Sequence, residues 1–103
     1  MIARVAAFEG VDVETAEKTM DIATERIQPM LDGLQGWQGR IDLLDPGKGK
    51  FLSINLFDSE GSLEAAEPTF DEEMPRQLGE IFEQWGGKRT SVERYEVVGE
   101  VRR

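Results

Sequence analysis

The stretch GKFLSINLFDSEGSLEAAE, Gly49 to Glu67, decides the fold. Its first half alternates: Leu52, Ile54 and Leu56 project one way, Phe51, Ser53, Asn55 and Phe57 the other, which is the period of a strand. The second half drops the alternation, offers Asp58 or Ser59 as an N-cap, and puts Leu63 and Ala66 on one helical face. Immediately upstream, WQGRIDLL, Trp37 to Leu44, reads as another strand. The DPGKGK between them is a turn in which Pro46 and Gly47 suit the central positions of type II. Two strands so closely joined form an antiparallel hairpin.

Working outward, Ile2 to Phe8 is a short apolar strand broken by Glu9 and Gly10. Asp12 is the candidate cap of a helix from Val13 to about Met30, with Val13, Ala16, Met20, Ala23 and Ile27 at steps of three and four. Pro29 is expected to kink or end its last turn, and Gly33 to stop it. Pro68 is expected to interrupt the next helix. A segment with the best amphipathic spacing in the chain (Phe70, Met74, Leu78, Ile81, Phe82, Trp85) then resumes near Asp71, or at Met74 because of Pro75. Gly86 and Gly87 end it, and Arg89 to Val101 supplies a last strand. The order β-α-β-β-α-β predicts a ferredoxin-like α+β fold: one domain over 1–103, a four-stranded antiparallel sheet, both helices on one face. A Phe pair on the uncovered face would be a costly exposed patch, so a second copy packing sheet against sheet, a homodimer, is expected.

Composition narrows the function. With 21 Asp and Glu against 12 Lys and Arg, the net charge of −9 argues against nucleic acid and anionic membrane surfaces as partners. Positive charge clusters only at Arg102 and Arg103. There is no cysteine, hence no disulfide, thiolate ligand or thiol nucleophile, and no histidine, the commonest general base and haem or zinc ligand. MIARVAAFEG has too short an apolar run for a signal peptide, so the cytoplasm is the expected location.

The segment GWQGRIDLLDPGKGKFLSINLFDSEGSLEAAE, Gly36 to Glu67, together with VERYEVV, Val92 to Val98, resembles the dimeric α+β-barrel superfamily, specifically its antibiotic-biosynthesis-monooxygenase-like members. That resemblance implies a dimer whose sheets form a barrel, with a cavity in each subunit between sheet and helices. Some relatives oxygenate aromatic polyketides there without metal or prosthetic group, some bind and degrade haem, and some have no known activity. The haem-degrading branch supplies a helix histidine that this chain lacks, and the position after INL, often Trp in relatives, is Phe57. The resemblance therefore implies an uncharacterised member that uses no cofactor and takes a small apolar or aromatic ligand. Its weak catalytic candidates are Asn55, Trp37 and Tyr95.

Each candidate has a plainer explanation. Asn55 is the lone amide in an apolar strand; buried, it must be hydrogen-bonded, to a neighbouring strand or to a ligand oxygen. Trp37 and Trp85 are stacking walls or ordinary packing, with packing the better reading for Trp85. Tyr95 lacks a histidine partner for proton transfer, so a structural hydrogen bond is the expectation. Alternation puts Arg4 with Ala6 and Phe8, Arg40 with Asp42, and Arg94 with Glu96; the expectation is compensating ion pairs at the dimer seam. Asp58, Glu60, Glu64 and Glu67 match no calcium loop, and Asp71 to Glu73 read as a favourable helix start. No metal site is expected. The competing function is a binding or structural dimeric barrel without catalysis.

Overall fold

The computed structural model describes residues 1–103. The elements run β1 (Ile2–Glu9), α1 (Val13–Asp32), β2 (Trp37–Asp45), β3 (Lys50–Phe57), α2 (Glu60–Pro68), a π-helical turn (Thr69–Glu73), α3 (Met74–Trp85) and β4 (Lys88–Glu96). The sheet order is β2-β3-β1-β4 with every pair antiparallel, which is the ferredoxin-like arrangement. No helix is long and apolar enough to cross a membrane.

The caps follow the chemistry of their residues. Asp12 accepts from Thr15 N–H at 3.0 Å, and Ser59 accepts from Ser62 N–H at 3.2 Å. Gly86 ends α3 in the left-handed region, φ 72, its N–H donating to the carbonyls of Phe82 and Glu83. Gly36 has φ 81 and lies against the Asp58 and Ser62 side chains, where a Cβ would collide. Its carbonyl accepts from Asp58 N–H at 2.8 Å, so the Gly-Trp pair ties the start of β2 to the start of α2.

Four local expectations need correction. Pro29 does not end α1, which continues to Asp32 before Gly33 caps it. The β2–β3 connection is not a type II turn, because Gly47 lacks the required positive φ. Asp45 Oδ1 instead accepts from the N–H groups of Gly47 and Lys48, and Gly49, at φ 64, takes the left-handed position. Pro68 does not interrupt the helix: Thr69 N–H bonds to Ala66, a wide turn follows in which Met74 N–H reaches back to Thr69, and α3 continues with Pro75 in its first turn. The two prolines flank that turn, each removing one amide from the regular ladder. Last, β4 ends at Glu96, and Val97 N–H donates to the Met1 carbonyl.

The helices cover the face that carries Phe51 and Phe57, both buried. They pack there with Ala16, Ala23, Ile27, Leu31, Leu63, Leu78 and Trp85. The Phe pair is therefore core, contrary to the expectation of an uncovered Phe patch. The uncovered face is the other one: Val5, Ile54 and Ile41 form one cross-strand row, and Ala7, Leu52 and Leu43 the next. Ile41 is 43% and Leu43 48% exposed there.

Candidate functional site

Register builds the site. Arg40, Asn55, Arg4 and Arg94 are directly paired across β2, β3, β1 and β4, so all four share the helix-covered face. The row Asp42, Ser53, Ala6, Val92 lies beside it on the same face. A cavity of about 120 Å³ opens between these rows and the helices. Its apolar wall includes Phe8, Phe51, Phe70, Met74, Phe82 and Trp85, and its polar side is Arg4, Arg40, Ser53 and Asn55, with Arg89 also lining it. The wide turn brings in Phe70, and Met74 follows directly; wide helical turns recur at functional sites.

Asn55 is 2% exposed and Arg4 3%. Trp37 Nε1–H donates to Asn55 Oδ1 at 3.2 Å. An indole nitrogen only donates, so this bond fixes which end of the amide is which. The carbonyl end is taken by Trp37. Asn55 Nδ2 has no partner in the chain, yet no side-chain polar atom is both sealed off and unpaired. The NH₂ group therefore meets the open space of the cavity it lines.

Arg4 Nε donates to Glu67 at 3.0 Å and Nη2 to Asp71 at 3.4 Å, while the guanidinium lies 4.3 Å above the Phe70 ring. Arg40 holds Asp42 through two contacts of 2.9 and 2.8 Å, and Arg89 holds Asp71 at 2.8 Å. Arg94 sits 3.7 Å from each of Glu60, Glu64 and Glu67. The expected ion pairs at a dimer seam are thus replaced by pairs between sheet and helix; only Arg40–Asp42 pairs within a strand, and it too lies on the helix side. Arg94 turns to α2 rather than to Glu96.

The three candidates separate. Asn55 lines the cavity, and Trp37 stands behind it, bonded to its side-chain oxygen but not itself lining the cavity. Tyr95 pairs with Ala3 on the opposite face, 51% exposed, and its hydroxyl donates to Glu93 Oε2 at 2.7 Å. That bond holds the phenol in its neutral form and pushes its pKa above the ordinary 10.0. Trp85 is a packing residue, edge-on to Phe51 and Phe82, with its Nε1–H donating to Thr19 Oγ1 at 2.6 Å; the same ring also walls the cavity. Sequence reasoning missed Arg4 and Arg40 as cavity residues. Their alternation with Ala6, Phe8 and Asp42 was visible, but which face the helices cover was not.

These features define a class, a ferredoxin-like α+β domain with a cavity between sheet and helices. Solved structures share its fold. A dimeric ferredoxin-like protein from an uncultured marine organism superimposes with a TM-score of 0.72 at 15% identity, over 99% of this chain and 98% of that one. A monooxygenase of Streptomyces coelicolor, in complex with nanaomycin D, gives 0.72 at 14%, over 99% and 91%. The haem-degrader MhuD of Mycobacterium tuberculosis, with two haems in its active site, gives 0.63 at 17%, over 98% and 99%. The chain thus has the fold of the dimeric, antibiotic-biosynthesis-monooxygenase-like barrels, as its sequence resembles. No family model matches it, and no curated protein is similar in sequence.

Proposed function

We propose that the protein is a homodimeric barrel whose cavity binds a small electron-rich phenol and promotes its oxygenation by O₂ without a cofactor. The observation that carries this reading is the Asn55 NH₂ group, buried, held by Trp37 and aimed into an otherwise largely apolar cavity. A phenol with a free ring carbon can supply all the electrons: phenol and O₂ give a quinone and water, one oxygen atom entering the ring and the other leaving as water. The protein then has only to orient the ring, exclude bulk water and stabilise the oxygen on which charge develops. Size sets the substrate. An apolar cavity of roughly 150 Å³ holds one benzene, so about 120 Å³ suits a single ring and not a haem.

The homodimer is supported by the apolar open face and by the dimeric neighbour of the same fold. The test of the activity is incubation with one-ring phenols under ¹⁸O₂ in the presence of a chelator. The expected product carries one ¹⁸O, and Asn55→Leu abolishes the gain over the uncatalysed rate. Equal rates with and without protein, across such phenols, overturn the enzyme reading.

The second reading is a non-catalytic binding barrel. It is favoured by the lining itself, which contains no carboxylate, phenol, thiol, amine or imidazole to move a proton.

A further inference from the structure

We infer that the polar side of the cavity is built for an uncharged oxygen acceptor, the carbonyl of a one-ring aromatic ketone or quinone, and that it discriminates against carboxylates; this rests on the cavity reading above. Two observations combine. First, the side-chain groups left unspent in the Arg40–Asn55–Arg4 row are donors. Asn55 offers Nδ2, while the Nη1 atoms of Arg4 and Arg40 have no partner in the chain and are not sealed off. Asn55 is directly paired with Arg40 on one side and Arg4 on the other, and all three line the one cavity, so the free amide donor stands between two further donors on the same wall. A carbonyl oxygen with two lone pairs satisfies such a group; a second donor would not.

Second, the charge there is already spent. Arg4, Arg40 and Arg89 are matched by Glu67, Asp71 and Asp42. Beyond them Arg94 faces Glu60 and Glu64 as well as Glu67, so the surroundings lean negative. A ligand carboxylate would gain hydrogen bonds but enter as an unpaired buried anion, which is costly. A ketone takes the same hydrogen bonds without that cost. The arginines act here as donors whose charge is cancelled by their own partners.

The test compares ethylbenzene, acetophenone and benzoate, three one-ring compounds that differ in the group presented. Binding is read at pH 7 from the indole N–H resonance of Trp85, which lines the apolar wall. We expect acetophenone to bind about tenfold tighter than ethylbenzene and benzoate at least about tenfold weaker than acetophenone. In Asn55→Leu the ketone's advantage shrinks to about twofold or less while ethylbenzene is retained. In Asp42→Asn, a near-isosteric change on an edge strand, the freed Arg40 charge raises benzoate affinity about tenfold and leaves acetophenone nearly unchanged. Benzoate binding the unmodified protein as tightly as acetophenone overturns the inference, as does Asp42→Asn with no effect on benzoate. If ethylbenzene binds and acetophenone gains nothing, the inference alone fails. If none of the three shifts Trp85, the cavity reading fails with it.

Discussion

The indole N–H of Trp37 reaches the side-chain oxygen of Asn55 at 3.2 Å and thereby turns the amide's NH₂ toward the cavity. Trp37→Phe keeps an aromatic ring and deletes that donor. The Asn55 oxygen is then left without its partner, at a cost of about 1 to 3 kcal/mol, measurable by urea denaturation. The amide is also free to turn over, so its side-chain ¹⁵N resonances split or broaden. Unchanged stability together with an unchanged pair of amide resonances would remove Trp37 from the site.

The open sheet face carries Ile41 and Leu43 as half-exposed apolar side chains on an edge strand. Neither is part of the core beneath the helices. Substituting both by Asp should leave the subunit folded and separate it from its twin, since like charges facing each other across an apolar seam are costly. In sedimentation, the unmodified protein is expected at twice 11.6 kDa and the double variant at 11.6 kDa. A double variant that still sediments as a dimer would place the interface elsewhere.

Arg4 is the most deeply buried charge in the sheet, held by Glu67 and Asp71 and stacked on Phe70. Arg4→Met leaves Glu67 half-buried with only Arg94, at 3.7 Å, and is expected to cost roughly 2 to 3 kcal/mol, below the full penalty for breaking a fully buried pair because both carboxylates retain water and a second arginine. Adding Glu67→Gln should recover part of that loss. A double variant no better than the single one would show that the stacking on Phe70, and not the ion pair, holds Arg4.

Tyr95 gives a pH signature because it is the chain's single tyrosine, so absorbance at 295 nm follows it alone. Its hydrogen bond to Glu93 and the nearby negative charge raise the phenol's pKa above 10.0 in the folded protein. The neutral phenol is the favoured form, so its contribution to stability is present below pH 10 and lost as pH rises through the folded value. Glu93→Gln should bring the midpoint down toward 10.0. A midpoint at or below 10.0 in the unmodified protein would contradict the bond.

The architecture was legible because each element carries its own local chemistry: Asp12 and Ser59 cap, Gly33 and Gly86 stop, and Phe51 to Phe57 alternate. The faces were not. Leu52, Ile54 and Leu56 are as apolar as Phe51 and Phe57, and hydrophobicity alone cannot say which set meets the helices. That ambiguity is why alternation alone puts Arg4 and Arg40 at a seam, whereas Tyr95 is joined to Asn55 only by the family resemblance, which carries no information about its face. Pro68 and Pro75 misled differently, since each argues for a break in isolation. Their spacing allows a wide turn that keeps the helix going.

That turn has a consequence for how the chain tolerates change. It absorbs one more residue than an α-helical turn, so α3 keeps the phase it would have in an unbroken helix. Removing a single residue between Thr69 and Glu73 would restore ordinary winding and leave α3 facing the sheet. Removing one within α3 ahead of Leu78, where nothing absorbs the change, would rotate Leu78, Ile81 and Trp85 by about 100° off the sheet together. The turn is therefore the one place between Glu60 and Trp85 where a change of length by one residue is expected to be absorbed.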